Sequence, residues 1–145
     1  MIVKIKKLND NAKIPTYGSP YSAGADLYAC CDGDIVIEPS QTVLVKTGLA
    51  IELSKGYVAL IYARSGLASK RGLAPANKVG VVDSDYRGEC MVALHNHTNE
   101  AVTVEGGERI AQLSIVPYLK AEFKVAEELS VTGRGDGGFG STGKK

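Results

Sequence analysis

An all-β fold, a sandwich or a barrel, is what this sequence predicts. The prediction rests on pattern and punctuation: short runs rich in β-branched and aromatic residues recur along the chain, and clusters of Gly, Pro, Asn and Ser separate them. A single stretch departs from that pattern and reads as a short helix. No self-similarity appears at a solenoid or propeller period.

The β runs fall at residues 2–6, 25–29, 34–37, 42–47, 49–53, 57–63, 79–82, 90–94, 101–104 and 109–116. Residues 15–19, 39–40, 54–56 and 106–107 supply the Gly, Pro and Ser that turn the chain between some of them. Residues 65–73, SGLASKRGL, are good helix formers after a serine, so Ser65 stands near a helix N-terminus whose orphan amides would face an anion. From residue 130 the sequence SVTGRGDGGFGSTGKK is nearly all Gly and small polar residues, with Val131 and Phe139 its large apolar side chains. It cannot bury enough surface to fold alone. The expected organisation is a β domain over residues 1–129 and a flexible Gly-rich arm over residues 130–145. A frayed terminus is the plainer reading of that tail. An arm that orders on binding, with Gly backbone closing on phosphates and Phe139 covering a flat ring, is the sharper one.

At 145 residues and 44% hydrophobic, the chain is long and apolar enough for one domain with a real core. Seventeen basic against 16 acidic residues leave a formal charge of +1, so no broad cationic face and no nucleic-acid partner are expected. The opening MIVKIKKLND has no apolar signal-like core, and the apolar run at 58–63 is far too short to span a bilayer. No membrane association is expected, and the location expected is intracellular and cytoplasmic, with a nucleus or a virus-infected cell left open. Cys30, Cys31 and Cys90 are odd in number and lack zinc-site spacing, which makes them reduced packing residues. His95 and His97 share one strand face in HNH and could seat a metal. Without a third ligand in view, a polar strand end is the expected role.

The stretch GVVDSDYRGE, residues 80–89, reads as a reactive hairpin. Val81 and Val82 suit a half-buried strand, while Asp83, Ser84 and Asp85 are turn formers whose side chains bond back to the backbone. Such a hairpin would hold Asp83 at the last buried position before the bend, its carboxylate kept partly dry and so tuned as a base. A solvated turn is the plain alternative. In the tail, GFGSTGK is a near miss of the phosphate-loop pattern, with Lys145 where Ser or Thr is required, and RGD at residues 134–136 is a weak signal in an intracellular chain.

Five stretches in fixed order carry a family resemblance: AGADLYA from Ala23, ARSGLA from Ala63, NKVGVVDSDYRGE from Asn77, GERIAQL from Gly107 and RGDGGFGSTG from Arg134. In this order and spacing the chain resembles the homotrimeric dUTP pyrophosphatases, or dUTPases, over essentially its whole length. The resemblance implies a jelly-roll-like β-barrel with one short helix, assembled as a homotrimer with three active sites at subunit contacts. It implies hydrolysis of dUTP to dUMP and pyrophosphate, which limits uracil in DNA and supplies dUMP for dTMP synthesis.

By the same resemblance Asp83 activates the attacking water, Gln112 contacts the α-phosphate and that water, and Arg64 with Ser65 and Gly66 binds phosphate. Asn77, Gly80 and Val81 belong to the hairpin that holds uracil largely through its main chain, and the Tyr86 ring under the deoxyribose leaves no room for a 2′-OH. Arg134, Phe139, Gly140, Ser141 and Thr142 match the arm that clamps the β- and γ-phosphates and stacks on uracil, closing over another subunit's site. Mg²⁺ would be held mainly by the triphosphate, with Asp26 reaching it through water. A buried hydrogen-bonding role is the alternative for Asp26, and Arg109 is expected to be structural. The chain departs from the pattern at Ala63, where Gly or Pro is frequent, and in the two lysines after Gly143. Two rivals remain on the same barrel: a dCTP deaminase, marked by ammonia release, and a nucleotide sensor that binds dUTP without releasing pyrophosphate.

Overall fold

The computed structural model describes residues 1–139, so of the expected site residues Gly140, Ser141 and Thr142 lie outside the described ones. In chain order the elements are β1 (Lys4–Lys7), β2 (Thr16–Tyr17), β3 (Ala25–Tyr28), β4 (Ile35–Ile37), β5 (Thr42–Lys46), β6 (Leu49–Glu52), β7 (Tyr57–Tyr62), α1 (Ser65–Arg71), β8 (Leu73–Pro75), β9 (Gly80–Val82), β10 (Met91–Asn96), β11 (Val102–Val104) and β12 (Arg109–Pro117). Each run picked out in the sequence carries a strand. The expected helix stops two residues early, because Gly72 adopts φ 62 and bonds its N–H back to Ala68 and Leu67, which closes the last turn. Leu73 then begins β8. The strand tolerates Pro75 because it lies at a sheet edge, next to β10 alone. The two-residue β2 is the other unexpected strand, inside a segment whose Gly, Pro and Ser read as turn.

The strands form a five-stranded sheet in the order β2-β3-β12-β7-β9, a three-stranded sheet β5-β10-β8, and the pairs β1-β6 and β11-β4. Every pairing is antiparallel. The sheets enclose one core as a jelly-roll-like barrel. Period two sets which side chains enter it: along β10, Val92, Leu94 and Asn96 are buried while Met91, Ala93 and His95 face outward. Leu27, Ile37, Val45, Leu94, Val104 and Ile110 are fully buried at its centre.

Asn96 is the polar member of that core, with no exposed surface. Its Nδ2 donates to the carbonyls of Ile37 at 2.9 Å and Glu100 at 2.7 Å, and its Oδ1 accepts from the Thr98 amide and hydroxyl. Both donors and both acceptor positions of the amide are therefore used, tying β4 and the turn after β10 together. Beyond β12 the last tie to the barrel is Tyr118 N–H to Gly56 O at 3.0 Å. From there to residue 139 no strand or helix forms, and Leu119, Phe123, Val125, Leu129 and Val131 stand almost fully exposed. Among the described residues no helix is long and apolar enough to cross a membrane.

Replacing Asn96 with Ala strands the Ile37 carbonyl in the core. The expected cost is roughly 1–3 kcal/mol of unfolding free energy, read from the urea midpoint at constant m-value. An unchanged midpoint would show that the network holds nothing.

Candidate active site

Strand β12 lies between β3 and β7, and its register decides what meets there. Gln112 is the cross-strand partner of both Asp26 on β3 and Tyr62 on β7. The chain leaves β7 at Tyr62 and enters α1 at Ser65, so Ala63 and Arg64 run past the same point. A bulge on β12 between Arg109 and Ala111 adds one residue against β3. In a regular strand Arg109 and Gln112, three apart, would face opposite sides; the bulge turns both toward Asp26.

Asp26, Arg64, Arg109 and Gln112 line a polar cleft of about 400 Å³ with Ser22, Gly24, Ser65 and Gly66. Asp26 is 9% exposed and bracketed by two guanidiniums: Arg64 Nε donates to its Oδ1 at 2.7 Å, and Arg109 Nη1 to its Oδ2 at 3.3 Å. One carboxylate against two arginines leaves the cleft with a net positive charge. Arg64 is also the extended residue that caps α1, without a side-chain cap bond, so the first amides of the helix are not claimed by a capping side chain. Gln112 donates from Nε2 to Ala63 O at 2.8 Å. Its carboxamide lies over Gly24, where a Cβ would come 2.5 Å from Gln112 Oε1. Guanidiniums, exposed hydroxyl and amides converging without a carboxylate cage make a receptor for a polyanion.

The hairpin forms a second cleft of about 230 Å³, lined by Asn77, Gly80, Val81, Asp83, Tyr86 and Glu89 among others. Strand β9 is the edge of its sheet, paired to β7 on one side, so its outer row of backbone N–H and C=O groups is free to read a ligand. Tyr86 Oη donates to Glu89 O at 3.1 Å, which folds the ring over Gly88. The hairpin root is pinned: Glu89 Oε1 accepts the Gly48 N–H at 2.7 Å, and Cys90 N–H donates to Leu49 O at 2.7 Å. Burial pushes the Cys90 thiol up to about 11, which leaves it a protonated packing group, and all three cysteines are free.

One expectation needs correction. The last buried position before the bend is Val82, and Asp83 is exposed on the single chain, because it follows the last residue of β9 and belongs to the turn, past the paired segment. On the single chain the predicted site residues fall in two places. Asp26, Arg64, Ser65, Gly66 and Gln112 share the polar cleft, while Asn77, Gly80, Val81, Asp83 and Tyr86 share the hairpin cleft, and the two linings have no residue in common. Arg134 and Phe139 stand on the exposed terminal segment, where Arg134 Nε bonds locally to Gly137 O at 2.7 Å. Sequence reasoning missed Gly24 and Glu89 as supports. Gly24 gave a signal, since a glycine two residues before a buried aspartate on a strand marks a close approach; Glu89, reaching Gly48 across the fold, gave none.

A divalent cation can be tested against the same donors. Among the described residues no three His, Cys, Asp or Glu side chains converge as a metal site. Asp26 has about four lone-pair sites, of which Arg64 and Arg109 use one on each oxygen. The remaining ones suit metal-bound water, so the donor set fits a cation held at one remove, carried chiefly by another ligand.

The family model for dUTPase matches residues 10–143. A deoxyuridine 5'-triphosphate nucleotidohydrolase from Desulfitobacterium hafniense is 55% identical over 132 residues, 90% of this chain and 87% of that protein. Among solved structures, a mutant Staphylococcus bacteriophage 80alpha dUTPase with dUpNHpp aligns at a TM-score of 0.87 and 32% identity, over 98% of each chain. A mutant dUTPase from phage phi11 of S. aureus, whose structure reveals coordination of a structural Mg(II) ion, aligns at a TM-score of 0.81 and 25% identity, over 90% of this chain and 100% of that one.

Because Asp26 is the shared counter-ion of two guanidiniums that keep contact with solvent, Asp26→Ala should cost about 1.5–3 kcal/mol of stability. Urea unfolding monitored by circular dichroism measures it. A loss below the error of the midpoint would mean that the bracket is not a structural pair.

Proposed function

The chain belongs to the dUTPase family and is a dUTP diphosphatase, and we propose that Asp83 supplies the base for its reaction. The products are dUMP and pyrophosphate. The observation that carries the assignment of parts is the polar cleft floored by Arg64, Asp26 and Gln112, a polyanion receptor built on the matched motifs. Removing dUTP keeps uracil out of DNA, and the dUMP formed feeds dTMP synthesis. Three free thiols agree with a reducing, cytoplasmic location.

In the proposed mechanism, Asp83 takes a proton from a water molecule whose oxygen forms the new bond to the α-phosphorus. The bond from that phosphorus to the bridging oxygen breaks in line, and the electron pair leaves with pyrophosphate. Gln112, held by Ala63 O and packed on Gly24, presents its amide to the α-phosphate and the attacking water. Arg64, with Ser65 and Gly66 beside it, opposes charge on the transferring group. Mg²⁺ bound by the triphosphate would supply further positive charge, and Asp26 would hold it through water.

Uracil goes to the hairpin cleft. The free edge of β9, from Gly80 to Val82, offers fixed donors and acceptors, and Asn77 stands beside them. Rigid backbone groups are left unpaired by the wrong base, so such a site rejects cytosine strongly, and a narrow hairpin clashes with thymine's methyl. The Tyr86 ring, fixed by Glu89 O, occupies the space that a ribose 2′-OH would need.

The two clefts share no lining residue, which supports a site completed between chains of a homotrimer. On this reading the hairpin of one chain meets the polar cleft of another. The arm, with Arg134, Phe139, Gly140, Ser141 and Thr142, closes over them. Asp83, Val81 and Tyr86 are exposed on the single chain, as surfaces awaiting a partner are. The neighbouring chain then supplies the dry wall that a base at Asp83 needs.

The deciding assay is pyrophosphate release from dUTP, dCTP, dTTP and UTP, each with and without Mg²⁺. Release confined to dUTP and raised by Mg²⁺ is expected; ammonia from dCTP, or dUTP binding without pyrophosphate, would overturn the assignment. Asp83→Asn should lower turnover by roughly 10²–10⁴-fold with dUTP affinity retained. Shared sites are checked by exchanging subunits between Asp83→Asn protein and protein lacking residues 130–145. Each parent should be inactive and the mixture active, whereas an inactive mixture after proven exchange would assign every site to a single chain.

A further inference from the structure

We propose that His95 and His97 chelate a borderline-soft divalent ion of the Zn²⁺ and Ni²⁺ class, at the end of β10 remote from the nucleotide clefts. The two residues are separated by one position along an extended segment, so their side chains leave the same face. Their ring centroids are 4.5 Å apart with the planes at 66°, close enough for one nitrogen from each to reach a common ion.

The backbone that carries them is fixed. Asn96, between them, is fully buried with all its hydrogen-bonding positions used, and the His97 N–H donates to Gly72 O at 2.9 Å. Neither histidine must therefore order its main chain on binding, which removes a large part of the cost of assembling a chelate.

The second requirement of a metal-binding imidazole is a partner on its other nitrogen. His95 Nδ1 lies 2.9 Å from Thr42 Oγ1. With Nδ1–H donating to that hydroxyl, the lone pair is left on Nε2, the arrangement that orients metal-ligating histidines. His97 is exposed, so its ring is open to an ion arriving from solvent.

Imidazole pairs favour Zn²⁺, Ni²⁺ and Cu²⁺ over Mg²⁺, which demands oxygen ligands. The proposed ion is accordingly distinct from the one carried by the triphosphate. Among the described residues no third His, Cys, Asp or Glu joins the pair, so water completes the coordination. Met91, at the other end of β10, lines the hairpin cleft; four residues at about 3.4 Å each separate it from His95 by about 14 Å.

Titration calorimetry of the full-length chain with ZnCl₂, NiCl₂ and MgCl₂ tests this. Saturable binding of one Zn²⁺ or Ni²⁺ per chain is expected, without a matching Mg²⁺ signal. His97→Ala and His95→Ala should each abolish it, and Thr42→Val should weaken it about tenfold. Cys31→Ser should leave it intact, and dUTP hydrolysis by His97→Ala should match the unaltered chain. Should His95→Ala fail to fold, the exposed His97 decides alone. Absence of saturable heat with the unaltered chain, binding retained in His97→Ala, or binding lost in Cys31→Ser would each overturn the proposal.

Discussion

A strand with neighbours on both edges cannot slide, and that constraint on β12 organises the polar-cleft half of this molecule. Its ladders to β3 and β7 place Gln112 level with Asp26 and Tyr62 together. A slip by one residue would turn Gln112 into the core and bring an apolar neighbour to the cleft. The bulge at Arg109 to Ala111 is the counterpart of that rigidity. It allows Ile110 and Ala111, adjacent in sequence, both to be fully buried while Arg109 and Gln112 face the cleft. Core packing and site geometry are therefore decided by the same few hydrogen bonds.

The hairpin half is built on the opposite principle. Strand β9 keeps one edge unpaired, a liability that proteins usually cover. Here the free edge lies in a cleft whose root is tied by Glu89 to Gly48 and by Cys90 to Leu49 and Thr47. Main-chain groups so held cannot rotate to suit a different ligand. On the proposed reading, selectivity for one base follows from what cannot move, which is more discriminating than a pocket of adaptable side chains.

Much of this was legible in the chain because composition and punctuation are local signals. Runs such as VALIY and MVALHN announce strands as short apolar stretches set between turn-forming residues, whatever they pair with in the fold. The motif residues could be named as well, and the cleft residues among them converge. What sequence could not convey was exposure at the turn: whether Asp83 is dry depends on a surface that the hairpin itself does not contain. Short β2 and β8 escaped for a related reason. Two or three residues show no period, and their pairing with β3 and β10 is dictated from outside. Gly24 and Glu89 act across 88 and 41 positions of chain respectively, separations at which no local pattern speaks.

The buried carboxylate of Asp26 is best understood through when its costs are met. A lone pair of arginines in a cleft would repel one another and wander among rotamers until a polyanion arrived. Ordering them at that moment would cost about 0.5–1.5 kcal/mol for each side chain. Asp26 fixes Arg64 at 2.7 Å and Arg109 at 3.3 Å during folding, so the guanidinium that faces the ligand is already aimed. The same carboxylate lowers the net charge of the cleft, which weakens the grip on substrate and product alike. For a catalyst that is an advantage: uniform binding of ground and transition states adds nothing to turnover, whereas a preorganised dipole that meets charge as it develops does. On the proposed mechanism, a structural ion pair and a catalytic electrostatic field are, in this cleft, the same arrangement of atoms.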